Sequence, residues 1–458
     1  MPDCVIRGGM LVQAPGVVLA DLAIEDGRIC AIAPELPGAA HEIDARGLTV
    51  FPGVIDCHLH FNEPGRTEWE GAATGSAALA AGGGTAFFDM PLNSAPCTND
   101  RAAFEAKRAA LEKSSITDFA LWGGLVPGNL GELAGLAKCG AIGFKAFLSD
   151  SGLPEFPRAD DLTLYEGMRE AARLGLPVAV HAESEEITSR LTRRARDAGR
   201  FTARDYLDSR PVVAEVEAIH RAALLAREAG CKLHIVHISS GRGVAAALEA
   251  RALGTDIAIE TCAHYLFFTE DDLLRLGAIA KCAPPLRDSD ERQKLWAHLT
   301  SGAVDVVASD HSPAPPSMKT GDDFFAIWGG IAGVQSTLAV LLEAGHHRRN
   351  LPLERIADLT AGYPARRFNL ENKGGIAVGN DADLTLLNLS SSKVLEPEFL
   401  FQRHPISPYA GSEFQGVIHR TLLRGTTIFQ HDHTTVKSGG KLLRPKTRQT
   451  YATSRIHP

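Results

Sequence analysis

Val54-Ile55-Asp56-Cys57-His58-Leu59-His60 is a short apolar run that ends in two histidines one residue apart. A run of this kind reads as a strand buried on both faces, as parallel sheets contain. Residues i and i+2 of a strand point to the same side, so His58 and His60 share a face and can share a cation. Seven further runs resemble it: Thr85 to Asp89, Thr117 to Leu121, Ile142 to Phe147, Val178 to His181, Leu233 to Ile238, Asp256 to Glu260 and Val304 to Ser309. An Ala/Leu/Glu/Arg-rich stretch of helical character follows each. Eight strand–helix units over about 300 residues predict an α/β fold closed into a (β/α)8 barrel. An open doubly wound sheet is the alternative for such alternation.

The flanks read differently. Val5 to Val12, Val17 to Ile24 and Arg28 to Ile32 are β-rich and are separated by turn signals at Gly8-Gly9, Ala14-Pro15-Gly16 and Asp26-Gly27. The pattern returns in Asp383 to Leu387, Val417 to Leu423 and Thr427 to Phe429. Two β-rich ends around a different middle predict one small β-sandwich domain built from both termini. The expected division is 1–50 and 369–440 for that domain, 51–368 for the barrel, and 441–458 for a basic, polar tail.

The chain has 458 residues, of which 45% are hydrophobic and 22% charged, and a net charge of −8 with acids and bases well mixed. This is globular composition, with no basic stripe of the kind that binds nucleic acid. No segment approaches the ~20 consecutive apolar residues that span a bilayer, and the first residues do not resemble a signal peptide. The eight cysteines are scattered, form no CxxC pair and read as reduced and mostly buried. A cytoplasmic protein with neither a nucleic-acid nor a membrane partner is expected.

The chemistry sits where the runs end, since barrel enzymes carry their catalytic groups at the C-terminal ends of the strands. His181 ends its run and is followed by Ala182-Glu183; His237 ends Leu233-His234-Ile235-Val236-His237, with His234 turned to the other side as a packing or supporting residue. Asp310 follows the eighth run, where a carboxylate needs a cation or several donors. Lys145 lies inside Ile142 to Leu148. A buried lysine is costly unless neutral, and a neutral amine can add carbon dioxide to become an anionic, bidentate carbamate. The other reading of Lys145 is a stem that snorkels between helices. Four imidazoles, a potential carbamate and a carboxylate suit zinc first, with cobalt, manganese or iron also possible. Two divalent cations ~3.5–4 Å apart would hold a bridging hydroxide, and Asp310 would take its proton and pass it to a leaving nitrogen. A second His-x-His, at His431-Asp432-His433, has no apolar run leading into it and reads as an exposed turn.

These residues resemble the cyclic amidohydrolases, a family that includes dihydroorotases, dihydropyrimidinases, hydantoinases and allantoinases. The resemblance runs from about Cys4 to about Phe429 and rests on specific motifs. They are Pro52-Gly53-Val54-Ile55-Asp56 leading into His58 and His60, the Lys145 run, His181-Ala182-Glu183, His237-Ile238-Ser239-Ser240 and Ser309-Asp310-His311-Ser312-Pro313. The resemblance implies a binuclear centre with His58, His60 and Asp310 on one metal, His181 and His237 on the other, and carboxylated Lys145 between them. It also implies a cyclic ureide or related small molecule as substrate and a homotetramer as the assembly. Dihydroorotases of this type have an arginine where this chain has Asn62, which removes the partner of a substrate carboxylate. Phe61 to Gly71, Asp89 to Asn93, Arg210 to Glu215, Lys281 to Arg287 and Trp328 to Gly333 resemble the allantoinases. That branch implies hydrolysis of allantoin to allantoate; the alternatives are a hydantoinase or dihydropyrimidinase and a non-catalytic assembly scaffold, from which the retained ligands argue away. Asn62, Asn93, Cys282 and Ala283 are the candidate substrate contacts, and Trp69 and Trp328 read as packing residues. Ala263 and Gly375 depart from the family pattern, where proline and a basic residue are usual.

Overall fold

The computed structural model describes residues 1–430 and 432–446. Eight barrel strands form: β1 Val54–Leu59, β2 Gly84–Asp89, β3 Asp118–Leu121, β4 Phe144–Phe147, β5 Val178–His181, β6 Leu233–Ile235, β7 Ile257–Cys262 and β8 Val306–Ala308. Every residue in them except Phe147 is buried. Burial on both faces is the reason the sequence shows continuous apolar runs instead of alternation.

The strands pair in parallel as two ladders, β1-β2-β3 and β4-β5-β6-β7-β8. Gly123–Gly124, continuing β3 past Trp122, pairs with β4 and joins one ladder to the other. The second seam is closed by the Leu59–His311 bridge, where the His60 N–H donates to the His311 carbonyl at 2.8 Å. The sheet is therefore a barrel and not an open sheet. Its interior is filled by Ile55, Phe88, Trp122, Ile142 and Val236, and the Trp122 Nε1–H finds its acceptor in the Cys57 carbonyl at 3.1 Å.

Helices return the chain between strands, among them Arg101–Ser114, Asp161–Leu174 and Gly241–Ala252. Asp100, Asp160 and Ser240 precede them, and each side chain accepts a backbone N–H from the first turn. That contact satisfies one of the donors a helix start leaves unpaired.

Both termini build the second β region. Cys4–Gln13, Gly16–Glu25 and Arg28–Ala33 form one antiparallel set, and Leu384–Val394, Glu413–Leu423 and Thr426–Gln430 form another. Thr49–Pro52 joins them by pairing with Cys4–Gln13 on one side and Leu384–Val394 on the other. Arg28–Ala33 ends that strand order, yet Ile29 exchanges hydrogen bonds with Gly379 and Asn380 at 2.8 and 2.9 Å. The sheet thus folds over on itself and encloses Ile6, Leu22, Val50, Leu384 and Leu422. Two short strands, His41–Asp44 and Thr49–Pro52, carry too few residues to stand out in the sequence.

Residues 441–446 lie against the start of β3, with the Lys441 N–H on Asp118 Oδ1 at 2.9 Å and a Phe119–Leu442 bridge. Residues 447–458 are outside the described part. Cys30 is exposed and the other seven cysteines are buried, all unpaired. Among the described residues no helix is long and apolar enough to cross a membrane.

Candidate metal centre

The ends of β1 and β5 and the turns after β6 and β8 bring His58, His60, His181, His237 and Asp310 to one mouth of the barrel, and Lys145 lies within β4. His58 Nε2 and His60 Nε2 stand 3.2 and 3.5 Å from Asp310 Oδ1. His181 Nδ1 is 3.0 Å from His237 Nε2. The two groups meet through His58 and His237, whose ring centroids are 5.2 Å apart. Lys145 is fully buried, and its Nζ has no hydrogen-bond partner among the described residues. Its Nζ lies 5.1 Å from the Phe147 ring, which stacks on His181 at 4.5 Å, and its charge disfavours protonation of His58, His181 and His237. The snorkelling reading of Lys145 fails on this burial.

The ligand positions were predicted at strand ends, and β6 departs from that pattern. It stops at Ile235, short of the predicted Ile238, and His237 sits beyond it with φ 40°. Asp310, two residues past β8, has φ 44°. A non-glycine residue in this left-handed region costs about 1–3 kcal/mol and is retained where the surroundings over-determine it. The surroundings do so at His237: its N–H donates to Glu260 Oε1 at 3.1 Å, and the next N–H, Ile238, donates to the Glu260 carbonyl at 2.8 Å.

Burial holds the imidazoles of His58, His181 and His237 below the usual histidine range. Neutral imidazole is the ligating form. Burial also lowers Lys145 to about 8, against an opposing pull from Asp310 and Glu260. For Asp310 burial raises the carboxyl, but His58 and His60 outweigh it and hold it at about 2. Neutral nitrogen donors, an accessible free amine and an ionised carboxylate fit divalent cations.

Two carboxylates fix the rings from behind. Glu260 Oε1 is 2.8 Å from His58 Nδ1, and its Oε2 is 2.8 Å from His234 Nε2. Glu183 Oε2 is 2.9 Å from His181 Nε2 and is paired in turn with Arg210. A carboxylate on the far nitrogen sets the ring orientation and makes the near nitrogen a better donor. His58 therefore presents Nε2 and His181 presents Nδ1, while His60 turns Nε2 toward Asp310 with no partner for its Nδ1 among the described residues.

The site opens into a cleft of about 640 Å³, ample for a small molecule. Asn93, Cys282 and Ala283 line it. Asn62 does not: it is fully buried, with Nδ2 on the Pro313 carbonyl at 3.4 Å. Trp328 packs edge-on against Trp69 at 4.9 Å and also lines the cleft, a role beyond the packing one predicted for it. Outside the cleft lining, Asp432 has φ 60° and His433 is exposed; His431 lies outside the described residues.

The model of the Amidohydrolase family matches residues 49–428.

The chain belongs to the amidohydrolase family.

This amidohydrolase is similar to allantoinases over its full length. It is 83% identical to that of Solibacter usitatus over 458 residues, all of both chains. It is 56% identical to that of Rubrobacter xylanophilus over 445 residues, 97% of this chain and 98% of the relative. Among solved structures, L-hydantoinase (dihydropyrimidinase) from Arthrobacter aurescens superposes with a TM-score of 0.94 at 34% identity, covering 97% of this chain and 100% of the other. Dihydropyrimidinase from Brevibacillus agri gives 0.90 at 28% identity, over 96% and 98%. Reading the amidohydrolase sequence alone does not assign roles to Glu260, Glu183 and Arg210. Glu260 ends a predicted run, and Glu183 and Arg210 lie in motifs quoted above, but their roles behind the ligands appear only through the contacts of Glu183 with His181 and Arg210.

Proposed function

We propose that this amidohydrolase opens the hydantoin ring of allantoin to give allantoate, at a pair of divalent cations. What supports the chemistry is the unpartnered, fully buried Lys145 amine, whose charge acts on His58, His181 and His237 and is itself acted on by Asp310. The names of the full-length relatives carry the choice of substrate. His58, His60 and Asp310 would hold one cation, His181 and His237 the other, and Lys145, as a carbamate, would lie between them. Zinc suits this donor set first, with cobalt, manganese and iron also suited. Such cations, when bound, supply Lewis acidity to a carbonyl and bring the deprotonation of water towards neutral pH.

The residues do the rest. Lys145 Nζ, as the neutral amine, forms a bond to the carbon of carbon dioxide and gives up a proton, which leaves an anionic oxygen donor in place of a cation. Asp310 takes a proton from the attacking water and delivers it to the ring nitrogen as the C–N bond breaks. The products are then the ureido NH2 and a carboxyl group, which ionises to the carboxylate by releasing its remaining proton to solvent. Asn93, with the backbone at Cys282 and Ala283, supplies polar groups on the cleft wall for the ring. Asn62 lies behind the cleft, where its amide donates to the Pro313 carbonyl beside Ser312 of the lining. The unpaired cysteines agree with a reducing, cytoplasmic setting, and a homotetramer is the assembly that the family resemblance suggests.

A hydantoinase reading also has support, from the similarity to the Arthrobacter enzyme. Metal-loaded protein prepared with bicarbonate should hydrolyse allantoin with a kcat/KM at least about tenfold above that for hydantoin and dihydrouracil. Ring opening of dihydrouracil or hydantoin without that of allantoin would select the second reading. No hydrolysis by protein of full metal content would favour the scaffold.

A further inference from the structure

Two lysines, Lys281 buried and Lys319 half-buried, take no part in the metal centre. Lys281 is 4% exposed, and its Nζ lies 4.7 Å from the Tyr206 ring and 5.4 Å from the Phe324 ring. It donates to the Phe325 carbonyl at 3.2 Å and to the Ile327 carbonyl. Lys319, in the short turn Pro316–Lys319, donates to the Trp328 carbonyl at 3.0 Å and the Gly330 carbonyl at 2.6 Å. Neither has a carboxylate within ion-pair distance among the described residues. Holding an ammonium against carbonyls alone is expensive where water is excluded, and desolvation pushes both amines down, Lys281 to about 7 and Lys319 to about 8.

The four accepting carbonyls belong to one segment, 325–330, and that segment forms a wall of the cleft facing the metal centre. The segment is tied down at its end as well. The Gly330 N–H donates to the Lys281 carbonyl at 2.7 Å. A Cβ at position 330, where φ is 143°, would stand 2.2 Å from the Ser312 carbonyl oxygen. Ser312 is two residues from Asp310 and accepts the Asn93 side-chain amide at 3.3 Å. The clamped segment is thus in register with both the proton carrier and a candidate substrate contact.

We propose that Lys281 and Lys319 are positioning residues that clamp the 325–330 wall and so decide which ring substituents the cleft admits. The wall presents Ile327 and Trp328 to a substrate only while its carbonyls are held. A loosened wall would bind a small polar ureide less well and tolerate a bulkier substituent. The idea rests on the ring-opening reading above, but its test does not depend on allantoin being the best substrate.

Lys319→Met, which keeps most of the stem and removes the ammonium, should raise KM for the best cyclic amide about tenfold and lower kcat by less. The ratio of kcat/KM for 5-benzylhydantoin to that for allantoin should rise at least tenfold. Hydrogen exchange should quicken at the Trp328 and Gly330 amides and not in the barrel strands, with metal content unchanged. Lys319→Arg, which restores donors, should recover part of the KM. If the Met variant does not fold, Lys319→Gln and the parent protein still decide the matter: in the parent those two amides must exchange far more slowly than an unstructured segment. Unchanged substrate ratios together with unchanged exchange in the variant, or fast exchange in the parent, would overturn the clamp. Absence of allantoin hydrolysis by the parent would count against the substrate assignment and leave the exchange result standing on its own.

Discussion

At the scale of single residues, Lys145 decides the chemistry. A lysine at the heart of a barrel would ordinarily be a liability, because a charge of its own sign disfavours the neighbouring imidazoles as cation hosts. Its amine has no partner among the described residues, and burial brings its pKa down to about 8, so the free base is accessible. Lys145→Ala should remove the anionic donor between the two groups of histidines and lower kcat by more than about a thousandfold. Acetate or propionate should restore part of the loss, since a short carboxylate can occupy the space left. A variant of full activity, measured with metal content, would remove the carbamate from the scheme. Glu260 works at the same scale but more quietly: one carboxylate holds His58, His234 and the N–H of His237.

At the scale of elements, the turn after β6 matters most. It leaves the strand two residues before His237 and carries that residue in the left-handed region. The turn is held from the helix Val212–Ala229, where Glu215 Oε1 accepts the Ser239 N–H at 2.7 Å and its hydroxyl at 2.8 Å. Glu215 Oε2 accepts the Ser240 hydroxyl, and Arg287 Nε donates to Ser239 Oγ at 2.8 Å. Glu215→Ala would leave buried donors unpaired, at about 1–3 kcal/mol each, and would free the turn. Affinity for the cation on His181 and His237 should fall about 10–100-fold, the range seen when supporting shells are cut. Competition with a chromophoric chelator measures this; equal affinity in parent and variant would mean that the turn holds its shape without Glu215.

At the scale of the whole molecule, barrel, terminal sheet and the 441–446 segment meet at one buried charge network. Lys373 Nζ contacts Asp118 at 2.9 Å, Asp381 at 2.9 Å and Asp383 at 2.6 Å. Arg424 also pairs with Asp118, and the Lys441 N–H reaches its other oxygen. Burial works against the Lys373 charge, but Asp383 and Asp118 outweigh it and hold the ammonium above its usual range. A raised lysine contributes stability that is complete below its unfolded pKa of about 10.4 and is lost as pH climbs through the folded value. The parent should therefore keep this contribution across the neutral range and lose it only in alkali. Lys373→Met strands buried carboxylates and should cost about 3–5 kcal/mol near neutral pH, read as a lower urea midpoint. The deficit should narrow in acid, because burial already holds Asp383 above the usual carboxylate range and it protonates first. A deficit independent of pH would mean that lost packing and not lost charge is responsible.

What the sequence determined by itself was whatever follows from local periodicity. Strands buried on both faces must be apolar throughout, so β1 to β8 are visible as runs, and polar residues at their ends stand out as His58, His60, His181 and Asp310 do. The i, i+2 rule puts His58 and His60 together without any coordinates. Closure at Leu59 and His311, the backing of His58 by Glu260 and of His181 by Glu183 and Arg210, and the turn that swings His237 past the end of β6 were decided only by the tertiary structure. The acceptors for Lys281 and Lys319 are backbone carbonyls, which every residue type carries and no side chain reports. Contacts of this kind join positions far apart along the chain, and their energies depend on distance and burial, which exist only once the barrel has closed.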